Sequence, residues 1–229
     1  PDVPSFNAAT VWTVGDSTVC SFNDTYYYPR YGWGTQLEHY FDSSLTVKNL
    51  ALSGRSSKSY VQEEQYQTLM QGMKAGDYLF VGFGHNDEKA DEGRYTNPNG
   101  NYLTEGSFAN SLYVNYVKPA QEKGVTVVLC TPIVRRTATG IWEDSNLHIT
   151  SDSGKFEGGN YAEAIRKMGE DLDITVVDMT TLTKNLYDEL GVDETLNLHA
   201  WTSSSGTSVD NTHTNIYGAR YNAYMMTRI

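Results

Sequence analysis

Two stretches of the chain, Asp77-Tyr78-Leu79-Phe80-Val81-Gly82-Phe83-Gly84 and Val125-Thr126-Val127-Val128-Leu129-Cys130, are nearly unbroken apolar runs. A strand of that composition has no wet face, so it belongs inside a parallel sheet covered on both sides. Shorter runs at Val11–Val14, Leu45–Leu50 and Thr175–Asp178 supply further strands. Between and after them lie segments with helical apolar spacing: Thr35–Phe41, Tyr60–Met73, Thr104–Lys123, Phe156–Leu172, Thr180–Leu190 and Asn215–Thr227. Pro119 kinks or breaks the third of these. The alternation predicts an α/β fold, with a mainly parallel sheet, right-handed crossovers and helices on both faces. At 229 residues, with no internal repeat and no low-complexity linker, residues 1–229 read as one domain.

The first strand stops abruptly at Gly15-Asp16-Ser17-Thr18, leaving a hydroxyl at its carboxyl end, where open α/β sheets keep their chemistry. A serine used as a nucleophile needs a base, an orienter for that base and donors for an oxyanion. His213 is the candidate base and Asp210 the candidate orienter. In a short loop ahead of the last helix, their spacing lets the carboxylate reach the imidazole of the same turn. Candidate donors are the N–H groups of Ser17 and Gly54 and the side-chain amide of Asn86. Each follows a different predicted strand, and parallel strands end on one edge, so the three converge. Singly, each has an ordinary reading: Asp210 as a helix cap, Gly54 and Asn86 as turn residues. Their coincidence in the order Ser, Gly, Asn, Asp-x-x-His points to acyl transfer. Asp16 secures the turn by local hydrogen bonds.

A formal net charge of -11 without a basic stripe excludes nucleic acid as a partner and disfavours an anionic membrane surface. An acidic substrate would need local arginines to reverse that field. Cys20 and Cys130 make no disulfide framework, one bridge between them being the alternative to buried thiols, and neither has metal-ligand spacing. No run is long enough to span a bilayer. The opening Pro1-Asp2-Val3-Pro4 in place of Met suggests a mature chain and allows secretion. Trp33, Trp142 and Trp201 are candidate stacking platforms for sugars. Arg55, Arg135 and Arg136 are candidates for a uronate carboxylate, and His85 lines the site or makes a structural hydrogen bond.

Val14-Gly15-Asp16-Ser17-Thr18, Gly32-Trp33-Gly34, Ala51-Leu52-Ser53-Gly54-Arg55-Ser56-Ser57, Phe83-Gly84-His85-Asn86-Asp87 and Asp210-Asn211-Thr212-His213 span almost the whole chain. Together they resemble the blocks of the SGNH, or GDSL-like, hydrolases, and within them the rhamnogalacturonan acetylesterase-like carbohydrate esterases. The resemblance implies a flavodoxin-like three-layer α/β/α fold with a shallow site, no metal and no cofactor. It implies Ser17 as nucleophile, His213 as base, Asp210 as its orienter, and Ser17, Gly54 and Asn86 in the oxyanion hole. The implied activity is removal of O-acetyl groups from an acetylated plant cell-wall polysaccharide, rhamnogalacturonan or xylan, by a secreted monomer or one module of a larger secreted protein. The alternatives are an esterase for other short acyl groups and a non-catalytic carbohydrate-binding module on the same scaffold.

Overall fold

A computed structural model describes residues 8–202 and 208–228, so the opening residues 1–4 and residues 203–207 lie outside the described residues. Five strands, β1 (Thr10–Gly15), β2 (Thr46–Asn49), β3 (Tyr78–Gly82), β4 (Thr126–Cys130) and β5 (Thr175–Val177), form a wholly parallel sheet in the order β2-β1-β3-β4-β5. The helices are α1 (Glu64–Gly72), α2 (Phe108–Leu112), α3 (Lys118–Glu122), α4 (Tyr161–Leu172), α5 (Met179–Thr195) and α6 (Ile216–Met226).

Alternate side chains of each strand feed two separate cores, as a two-residue period requires. Trp12, Val14, Leu79, Val81, Val127 and Leu129 pack with Leu69 of α1, Leu112 of α2, Ala120 of α3 and Ile165 of α4. Val11, Phe80, Val128, Cys130 and Val177 pack on the other face with Trp33, Leu37, Met179 and Met226. The result is a three-layer α/β/α arrangement. Both cysteines are buried and unbridged, and burial pushes the Cys20 thiol up to about 12.

Several expected elements shift for identifiable reasons. Thr35–Phe41 is not one helix but two 3-10 turns, Trp33–Thr35 and Leu37–His39. The helices expected from Thr104 and Phe156 begin later, at Phe108 and Tyr161, where Ser107 and Asn160 accept cap hydrogen bonds from Asn110 and Glu163. The break expected of Pro119 takes the form of a π turn over Tyr113–Val117 that joins α2 to α3. Proline offers no N–H to Asn115, four residues earlier, and the Tyr66 hydroxyl donates to that carbonyl at 2.9 Å instead.

Ahead of the last helix, β6 (His199–Trp201) pairs antiparallel with β7 (Val209–Thr214). Asp210 and His213 therefore stand on a strand and not in a loop. Thr214 ties β7 to the segment after β1, its carbonyl accepting from Tyr31 N–H and its hydroxyl donating to the Tyr31 carbonyl, both at 2.8 Å. Arg136 N–H donates to the Asn211 carbonyl at 2.8 Å, tying β7 to the segment after β4.

Candidate active site

The chain places β2 on one side of β1 and β3 on the other, so the strand order reverses between β1 and β3. The crevice beyond the carboxyl ends of two such strands is the usual ligand site of an open parallel sheet. Gly15 and Gly82 pair in register at that edge. A Cβ on Gly15 would stand 2.5 Å from the Gly82 carbonyl oxygen, so a side chain there would force the two strand ends apart. Ser17 follows β1 and Asn86 follows β3.

Three side chains line up across this edge. The Ser17 hydroxyl is 2.7 Å from His213 Nε2, and His213 Nδ1 is 2.7 Å from Asp210 Oδ2. Because a carboxylate only accepts, Nδ1 carries the ring hydrogen and Nε2 is left as the acceptor of the Ser17 O–H. Asp210 Oδ1 accepts the N–H groups of Thr212 and His213 at 2.9 and 3.0 Å. Burial by itself would raise the Asp210 carboxyl, but the hydrogen bonds and charge of His213, with those two N–H donors, outweigh it and hold the group at about 2. Asp210 is thus anionic at neutral pH.

The candidate donors lie on the turns that follow β1, β2 and β3. Gly54 has φ +77° and is exposed, a left-handed conformation that glycine adopts without strain. Leu52 N–H donates to the Gly15 carbonyl at 3.0 Å, which lays the Gly54 turn alongside the start of the Ser17 turn. Asn86 Nδ2 donates to the Arg55 carbonyl at 3.1 Å, closing the set from the β3 side. Among the described residues, neither Ser17 N–H nor Gly54 N–H has a backbone acceptor, and Asn86 keeps one amide hydrogen uncommitted. Asp87 braces the arrangement from below, accepting Ser57 N–H at 2.9 Å, the Ser57 hydroxyl at 2.5 Å and the Thr96 hydroxyl at 2.9 Å. Asp16 turns inward: its Oδ1 accepts both the N–H and the hydroxyl of Thr18, and it fixes the Ser17 turn.

The other expected contacts separate. Trp33 is 2 % exposed and packs beneath Gly82, so it presents no face to a sugar. His85 does not line the surface: it is 3 % exposed, edge-on to His148 with ring centroids 4.4 Å apart, and among the described residues neither ring nitrogen has a hydrogen-bond partner. Trp142 donates to Asp188 at 2.6 Å and lies under Lys184, held on the surface of α5. Arg135 is spent on Glu88, and Arg136 on Thr195, Asn211 and the Val192 carbonyl. Trp201 is half-buried and lines a cavity of about 530 Å³ with Tyr28, Tyr217 and Tyr221. Arg55 keeps an exposed side chain, paired with Glu63 at 2.8 Å.

One support of the site carries no sequence motif. His199 on β6 is fully buried, and its Nδ1 lies 2.7 Å from the Asp210 carbonyl and 3.0 Å from that of His213. Carbonyls accept, so Nδ1 is protonated and Nε2 takes the Tyr187 hydroxyl at 2.5 Å. Burial lowers His199 to about 4, which keeps this tautomer neutral. Tyr187→Phe strands the Nε2 acceptor. We expect a loss of roughly 1–3 kcal/mol in unfolding free energy and a fall in turnover smaller than tenfold, read by thermal melts and steady-state rates.

A hydroxyl on an imidazole and an imidazole on a carboxylate, with uncommitted N–H groups on the neighbouring turns, match the arrangement of serine hydrolases. The chain matches the GDSL-like lipase/acylhydrolase family over residues 11–224, and it belongs to that family. It is 32% identical over 195 residues to the rhamnogalacturonan acetylesterase RhgT of Bacillus subtilis, covering 83% of this chain and 73% of that one. It is 31% identical over 232 residues to a rhamnogalacturonan acetylesterase of Emericella nidulans, covering 95% and 82%. Among solved structures, the YxiM protein of Bacillus subtilis superposes with a TM-score of 0.70 at 26% identity. The match covers 95% of this chain and 54% of that longer one. An acetyl xylan esterase, AlAXEase, shares the fold with a TM-score of 0.60 at 17% identity, covering 95% and 97% of the two chains.

Proposed function

We propose that this protein removes O-acetyl groups from rhamnogalacturonan-type pectic polysaccharide through an acyl-enzyme on Ser17. The observation that carries the reading is the unbroken hydrogen-bonded line from the Ser17 hydroxyl through His213 to Asp210, at 2.7 Å per step. His213 Nε2 takes the Ser17 proton as the oxygen attacks the acetyl carbonyl. The negative charge that develops on the carbonyl oxygen meets Ser17 N–H, Gly54 N–H and the uncommitted Asn86 N–H, each such donor lowering the barrier by about 3 kcal/mol. His213 then returns the proton to the departing sugar oxygen. Water, deprotonated by the same imidazole, attacks the acetyl-serine and releases acetate. Throughout, the anionic Asp210 stabilises the imidazolium that forms twice per turnover.

Sequence kinship to two proteins named as rhamnogalacturonan acetylesterases supports the substrate class, whereas the likeness to an acetyl xylan esterase at 17% identity extends to the fold alone. Action on a wall polymer carries with it secretion. Acetate release from acetylated rhamnogalacturonan should exceed that from acetylated xylan at least tenfold at equal acetyl content. No acetate from either polymer, or a preference for xylan, contradicts the reading.

A further inference from the structure

Asn86 is held at both ends of its amide. Nδ2 donates to the Arg55 carbonyl at 3.1 Å, and Oδ1 accepts from Arg94 Nη1 at 3.2 Å. The Arg94 guanidinium thus stands directly against the side chain proposed to meet the oxyanion.

A guanidinium has five N–H donors. In Arg94, Nε donates to Asp91 Oδ2 at 2.8 Å, Nη2 lies 2.6 Å from the same oxygen, and Nη1 is on Asn86. One hydrogen on each terminal nitrogen is left over. A carboxylate can take these two hydrogens together, one from each terminal nitrogen, through the parallel bonds of a guanidinium fork. The side chain is 37% exposed, so the fork is open to solvent.

The electrostatic setting agrees. With a net charge of -11, the protein as a whole repels a polyanion, and an anionic substrate needs cations at the site itself. Arg94, whose guanidinium meets the oxygen end of the Asn86 amide, is such a cation, whereas Arg55 offers that amide its backbone carbonyl and pairs its guanidinium with Glu63. We propose that Arg94 binds the carboxylate of a uronic-acid residue of the acetylated polymer, making it a specificity-determining residue that also braces Asn86. The proposal rests on the esterase reading and adds to it the group on the polymer that is recognised.

The test compares acetylated rhamnogalacturonan with the same polymer after its uronate carboxyls have been converted to neutral amides. A charge-assisted fork is worth roughly a 10- to 100-fold difference in KM, so the intact enzyme should favour the charged polymer by about that factor. In Arg94→Met the KM preference should vanish, and in Arg94→Lys, which keeps the charge and loses the fork, it should be partial. Turnover on both polymers should fall together in these variants, because Asn86 loses its brace, so the KM ratio is the discriminating quantity. A preference that survives Arg94→Met, or an intact enzyme indifferent to the carboxylate, overturns the proposal. Calorimetric binding of the charged polymer to Ser17→Ala, with and without Arg94→Met, reads the fork without turnover. Binding at least tenfold weaker in the double variant supports it, and equal binding overturns it. Absence of acetate release by the intact enzyme counts instead against the esterase reading.

Discussion

Ser17→Ala should abolish acetate release, with kcat lower by about 10⁴- to 10⁶-fold, while the protein melts within a degree or two of the original. The size follows from what is removed and what stays. Without the hydroxyl no acyl-enzyme forms, and His213 can only activate water against an ester held by the donors of Ser17, Gly54 and Asn86. That residual arrangement typically retains 10³–10⁴-fold over the uncatalysed reaction. The small effect on stability follows because, among the described residues, the hydroxyl's one hydrogen bond is to His213 Nε2, whose ring stays fixed by Asp210 at 2.7 Å. Steady-state acetate release and a thermal melt on the same preparation check both halves. Activity that survives in Ser17→Ala means the nucleophile lies elsewhere.

Asp210→Asn should lower kcat by about 10⁴-fold with little change in the position of the imidazole. The Asn oxygen can still accept the N–H groups of Thr212 and His213, which Asp210 Oδ1 accepts now. Its nitrogen then faces His213 Nδ1 and donates, so the ring must carry its hydrogen on Nε2. An imidazole in that tautomer has no lone pair for the Ser17 proton. The wild-type carboxylate also links folding to pH. Its folded value of about 2 lies below the ordinary 3.8, so its contribution to stability is full above about pH 4 and drains away as pH falls through 2. Asp210→Asn should therefore show a shallower loss of melting temperature between pH 5 and pH 3 than the wild type. Rates near the wild-type value in this variant contradict the orienting role of Asp210.

Which parts of this molecule are legible in the chain depends on how strongly burial constrains composition. β3 and β4 have four of their five residues buried, and a segment with no wet face is written almost wholly in apolar letters. β7 is the opposite case. Val209–Thr214 is half-buried along most of its length and reads Val-Asp-Asn-Thr-His-Thr, with neither an apolar run nor an alternation to betray a strand. Its pairing comes from backbone hydrogen bonds to β6, Tyr31 and Arg136, which leave no trace in side-chain pattern.

The site divides along the same line. The proposed chemistry asks for a particular residue type at each of Ser17, Gly54, Asn86, Asp210 and His213, which makes the pattern visible along the chain, and the structure hydrogen-bonds Ser17 to His213 and His213 to Asp210. An aromatic residue carries no such information about its face: Trp33 serves the core and Trp201 lines a cavity, yet both are tryptophans in polar surroundings of the chain. Arg94 lies within the polar excursion after β3, where nothing but the fold reveals that its guanidinium returns to Asn86. His199 is likewise a lone histidine until the structure sets it behind the carbonyls of Asp210 and His213.

The central claim is that acetyl passes through the Ser17 oxygen. Rapid acid quench of the enzyme during turnover of an activated acetyl ester, followed by peptide mass spectrometry, tests it most directly. The account predicts a transient acetyl group on the peptide containing Ser17, lost on further incubation and accumulating in no other peptide. An acetyl group trapped on a different residue, or turnover with no covalent acetyl at any time, would contradict it.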